Sequence, residues 1–121
     1  MRQLISFLTF AIVLIGAAAC TENNSNEAVI KVRSTADACE VSASEASSGN
    51  VVFEVTNDAS EVTEFYLLAD DGLRIVGEVE NIGPGTTRKL VVEAAPGNYF
   101  TACKPRMVGA GIRAPFTVTE G

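Results

Sequence analysis

The chain has 121 residues, with 9 Lys plus Arg against 15 Asp plus Glu and a formal net charge of −6. That length holds one small domain, and an acidic chain without a basic stripe excludes nucleic acid as a partner class. It contains no histidine, which removes the commonest general base and the commonest metal ligand.

The N-terminus reads as a secretory signal. Met1-Arg2-Gln3 carries one positive charge, and Leu4 to Ala19 runs uncharged and closes on small residues. This run is short of the roughly 20 apolar residues that a membrane span needs, and no basic stop-transfer cluster follows it. Ala17-Ala18-Ala19-Cys20 resembles a bacterial lipobox, with Ala17 where Leu or Val is usual; Ala17-x-Ala19 also suits ordinary signal peptidase. Lipidation at Cys20 would give a membrane-anchored lipoprotein facing the periplasm or the cell exterior, since two acyl chains hold a protein where one is marginal. It would also leave Cys39 and Cys103 as a pair in an oxidising compartment. The expected division is therefore 1–19 signal peptide, 20–28 lipidated cysteine and polar tether, and 29–120 folded domain.

From Val29 onward the pattern turns to short β-type runs. Val29–Ser34, Cys39–Ala43, Val51–Asn57, Val62–Ala69, Arg74–Glu80, Thr86–Ala94, Asn98–Cys103 and Ile112–Thr119 alternate at period two or are rich in β-branched and aromatic residues. Ser47-Ser48-Gly49-Asn50, Asp70-Asp71-Gly72, Gly83-Pro84-Gly85 and Ala95-Pro96-Gly97 separate them with turn chemistry. No window reads as a helix, and the Ala/Ser-rich stretch Ser42–Ser48 reads as a loop. Seven to eight short strands predict an all-β antiparallel sandwich.

Alternation sorts side chains onto faces. Val62, Glu64, Tyr66 and Leu68 share one face of a strand apolar on both sides, so Glu64 is either partly buried or solvated at the strand end. A buried carboxylate needs a cation or hydrogen bonds. Glu78 and Glu80 share a face, which reads as a wet surface or as a carboxylate cluster for a hard cation. Cys39 and Cys103 carry two open readings. One is a disulfide, worth about 4 kcal/mol for a loop of that length on the chain-entropy model. The other is a pair of thiolate ligands, with Met107 a further candidate four residues after Cys103; soft sulfur suits copper(I). A blue-copper site needs two imidazoles beside its cysteine, so it cannot form here. Without a histidine to activate a serine, and without a Gly-rich phosphate loop, the chain reads poorly as a hydrolase.

Gly77-Glu-Val-Glu-Asn-Ile-Gly-Pro-Gly85, with Thr63-Glu-Phe65 before it and Pro96-Gly-Asn-Tyr-Phe-Thr-Ala-Cys103 after it, resembles the cupredoxin-like domain of EfeO-type iron-transport proteins. Asp37-Ala-Cys39 supplies the first cysteine where that domain also has one. The resemblance covers about Val29 to Thr119. It implies a cupredoxin-like Greek-key sandwich that binds copper or iron and serves uptake of ferrous iron beside a membrane permease and a peroxidase-like partner. Carried onto this chain, the implied metal ligands are Cys39, Glu64 and Cys103, with Glu78 and Glu80 as supporting acids. Two departures stand out. Longer relatives continue into a helical imelysin-like domain, and Phe100 stands where many relatives have an acidic residue. The expectation is a metal-binding or electron-transfer module rather than an enzyme; the alternatives are a disulfide-stapled interaction module without metal and a copper-dependent ferroxidase.

Overall fold

The computed structural model describes residues 28–121; the expected signal peptide 1–19, the expected lipidation site Cys20 and the expected tether up to residue 27 lie outside the described residues. Among the described residues nine strands follow one another: β1 Val29–Ser34, β2 Cys39–Val41, β3 Glu45–Ser47, β4 Gly49–Asn57, β5 Thr63–Ala69, β6 Ile75–Ile82, β7 Thr87–Ala94, β8 Gly97–Cys103 and β9 Ile112–Thr119. One single-turn 3-10 segment, Pro105–Met107, interrupts the loop before β9. Among the described residues no helix is long and apolar enough to cross a membrane.

The strands form a four-stranded sheet, β2-β1-β4-β7, and a five-stranded sheet, β3-β9-β8-β5-β6. Period-two sequence drives the layering. In β1, Ile30, Val32 and Ser34 are buried while Val29, Lys31 and Arg33 face out. Between the sheets the core centres on Phe53, whose ring lies 5.1 Å from Phe65 and 5.4 Å from Phe116. Val32, Val55, Leu67, Ile82 and Val118 fill the space around them. Burial of such side chains is the main force closing the sandwich. β5, flanked by β6 and β8, is buried along its whole length, as expected for a strand apolar on both faces.

The architecture matches the expected sandwich, with two refinements. Two of its ladders are parallel, β1 with β4 and β3 with β9. The ninth strand is β3, which lies within Ser42–Ser48, the stretch that reads as a loop. Glu45, Ala46 and Ser47 pair with Thr117, Val118 and Thr119, so this strand owes its existence to a distant partner rather than to its own propensity. The Asp70-Asp71-Gly72 hairpin is longer than a two-residue turn. Asp71 Oδ1 accepts from the backbone N–H of Leu73 and of Arg74, and those bonds hold its carboxyl below the usual range. Asn81, at φ 54°, sits where β6 slips register against β5 between Thr63 and Phe65, as in a bulge.

Candidate functional site

One end of the sandwich gathers the loops 35–38, 58–62, 83–86 and 104–111. Cys39 opens β2 directly after the first of these, where Thr35 Oγ1 accepts from the Ala38 N–H at 2.9 Å and fixes the turn. Cys103 closes β8 directly before the last. A disulfide joins them across 64 residues of sequence, with their Cα atoms 5.5 Å apart, so it bonds the edge of the four-stranded sheet to the interior of the five-stranded one. Cys103 is fully buried, whereas Cys39 is only partly buried against the core.

Beneath the disulfide end lies a buried polar layer. Ser34 and Thr63 share a hydroxyl bond of 3.1 Å. Asn57 Nδ2 donates to the carbonyls of Glu61 and Ile82 at 2.7 and 2.8 Å, and its Oδ1 accepts from the Ala59 N–H. These side chains are spent on one another and on backbone, which locks the loop end.

The loop after Cys103 is conformationally demanding. Arg106 and Met107 both adopt positive φ, 62° and 58°, which costs a side-chain-bearing residue free energy that its surroundings must offset. The Arg106 N–H donates to the Val62 carbonyl at 2.7 Å and the Met107 N–H to that of Lys104 at 2.9 Å. Gly111 cannot be replaced easily, because a Cβ there would stand 2.9 Å from the Cys103 carbonyl oxygen.

The other sequence-predicted residues fall elsewhere. Phe65 pairs in register with Cys103 and shares its inward face, so alternation carries Glu64 to the opposite, outer face of the five-stranded sheet. There Glu64 is buried beside Tyr66, whose cross-strand partner is Glu78. Burial above all, then a hydrogen bond to Glu64 and the charges of Glu64, Glu78 and Glu80, pushes the Tyr66 hydroxyl well above the usual tyrosine range. The Lys104 ammonium lies 4.3 Å from the centroid of the same ring. Glu78 and Glu80 are exposed on β6, and Phe100 packs with Tyr66, Leu68 and Ala102. The structure therefore brings Cys39 to Cys103, and Glu64 and Glu78 each to Tyr66, but keeps these two groups on different faces. Among the described residues no group of three or more Cys, Asp or Glu is placed to hold a metal ion. Tyr66 and Lys104 escape a motif search, although Tyr66 stands two residues from Glu64 on one strand face.

Comparisons with known proteins bear on this geometry. The "Iron uptake system component EfeO" of Escherichia coli K12 is 27% identical over 96 residues, which is 79% of this chain but 25% of that protein. The same component of Shigella flexneri aligns equally. The chain thus spans about a quarter of the length of these relatives. Among solved structures, reduced auracyanin of Roseiflexus castenholzii superposes with TM-score 0.58 at 16% identity, covering 75% of this chain and 96% of that one. Auracyanin A of Chloroflexus aurantiacus, described as a "blue" copper protein, gives TM-score 0.58 at 16% identity over 75% of this chain and 98% of its own. At that identity these likenesses establish the fold. The family model of the cupredoxin-like domain matches residues 5–118, and the chain belongs to that family.

Proposed function

We propose that this chain is a metal-handling cupredoxin-like module of an iron-uptake system. It is held at the outer face of a membrane through lipid on Cys20, and Cys39 and Cys103 serve as sulfur ligands of a copper or iron ion in its reduced state. The observation that carries this reading is the meeting of two cysteines, one from each sheet, at the loop end of a cupredoxin-like sandwich.

Donor chemistry sets the conditions. In the disulfide each sulfur is bonded to the other and neither is a thiolate, so the oxidised form does not fit a metal ion. Reduction supplies two thiolates, which suit a soft cation, and the Met107 thioether lies on the same loop. The absence of histidine keeps the site from being a blue-copper centre. Glu64 projects from the opposite face, so the implied set of Cys39, Glu64 and Cys103 divides in two. The sulfur pair would hold the resident ion. Glu78 and Glu80 would give the outer face an acidic character that attracts cations weakly, without forming a coordination group with Glu64. The similarity to EfeO supports the iron-uptake setting, with a permease and a peroxidase-like protein as partners.

A second reading has its own observation. The Cys39–Cys103 bond also suits a stapled interaction module that binds no metal and docks a partner through its acidic strands. Native mass spectrometry of the mature chain, oxidised and then reduced, with copper(I) or iron(II) added, separates the two. The metal reading expects no uptake by the oxidised protein and one ion per reduced chain. A reduced chain that takes up neither metal leaves the stapled module standing. Catalytic oxygen consumption with ferrous iron would add ferroxidase activity to the first reading.

A further inference from the structure

The two halves of the disulfide are mounted very differently. Cys103 ends β8, which is flanked by β5 and β9, and its side chain is fully enclosed. Cys39 begins β2, a strand of three residues at the sheet edge, held by three register pairs to β1 alone. None of the residues of β2 is fully buried, and only Cys39 and Val41 touch the core from it. Short edge elements with few apolar contacts open at low free-energy cost. The outer hold on β2 is the Arg33 guanidinium, which donates to Glu40 at 2.8 Å and also bonds Asp58 in the next loop. Those ion pairs are more than half exposed, where such pairs contribute little. A cleft lined by Ala36, Ala59, Ser60, Glu61, Pro105 and Arg106 lies between the loops that lead into Cys39 and out of Cys103.

From this asymmetry we infer that Cys39 is the exchange point of a reversible dithiol–disulfide switch, entered by the thiolate of an external dithiol protein. β2 peels from β1 and presents the Cys39 sulfur, while Cys103 stays fixed in the core. The incoming thiolate bonds to Cys39 Sγ as the Sγ–Sγ bond breaks, and the electron pair leaves on Cys103 Sγ, which takes up a proton. The partner's second thiolate then attacks the mixed disulfide and releases Cys39 as a thiol. Two electrons and two protons have passed to this chain, and the partner leaves as a disulfide. The inference deepens the metal reading, on which its purpose rests, by naming the partner that converts the closed pair into two ligands.

The test is run without metal, so that failure of the switch and failure of metal binding remain distinguishable. The mature chain is incubated with a thioredoxin-type dithiol protein whose second active-site cysteine is replaced by serine, which traps the mixed disulfide, and the adduct is mapped by peptide mass spectrometry. The expected adduct is on Cys39, in excess over Cys103 by about tenfold or more, as access dictates. An adduct on Cys103, equal adducts on both, or none would overturn the inference. Arg33→Ala removes the outer hold on β2 and is expected to speed adduct formation by about two- to five-fold, as for loss of exposed ion pairs. An unchanged rate would overturn the peeling route. If exchange proceeds as expected and the reduced chain still binds no metal, the switch stands and the metal reading falls.

Discussion

Tyr66 shows how one side chain reports on its surroundings. Burial, the hydrogen bond to Glu64 and the nearby acids keep its hydroxyl protonated in the folded chain, whereas in the unfolded chain it ionises near pH 10. Above that pH the folded state holds one proton more than the unfolded state, so stability falls as pH rises. Tyr66→Phe is therefore expected to flatten the decline in urea-unfolding free energy between about pH 10 and 12; equal slopes in the two proteins would contradict it. Depressed carboxyls act at the acid end. Lys31 lowers Glu54 and backbone donors lower Asp71, so what they contribute is present above their unfolded values near pH 4 and lost as pH falls through the folded ones. At this scale the sequence was informative in part. Glu64 stands out as an acid on an apolar strand, and alternation with Phe65 already separates its direction from that of the inward residues. The tie between Phe65 and Cys103, which sets Glu64 apart from the sulfur pair, depends on strand register and has no local signal.

Among the elements, Asn57 ties the loop end together. Its amide ties the end of β4 to the 58–62 loop and to the end of β6. Asn57→Ala is expected to lower stability by about 2–3 kcal/mol, because it leaves buried carbonyls and an N–H unpaired. Thermal and urea unfolding check this, and a loss under about 0.5 kcal/mol, the usual scale for surface changes, would contradict it. The strands with strong alternation, β1 and β7, were legible from the order of their residues alone, and so were the Gly- and Pro-marked turns between them. β3 was not. Glu45, Ala46 and Ser47 have weak strand propensity, and their partners Thr117–Thr119 lie at the far end of the domain. Arg106 and Met107 were also illegible, since their positive φ is imposed by backbone bonds to Val62 and Lys104 rather than by residue type.

Over the whole molecule, turn signals at short intervals specify a two-layer all-β domain, while the parallel pairing of β1 with β4 comes from chain topology that local patterns do not encode. The disulfide links the two layers at one end, and on the chain-entropy model a closed loop of 64 residues contributes about 4 kcal/mol. On the proposed function, opening it to bind metal would exchange covalent stability for ligand binding, which would tie redox state, stability and metal content together. On the proposed function, Cys39 and Cys103 hold the ion in the reduced protein. X-ray absorption at the edge of whichever metal the reduced chain retains, copper or iron, tests it most directly. The expected spectrum has a first coordination shell containing sulfur, with that sulfur contribution reduced in Cys39→Ser. A shell of oxygen and nitrogen alone, unchanged by Cys39→Ser, would contradict it and move the metal to the carboxylate face or off the protein altogether.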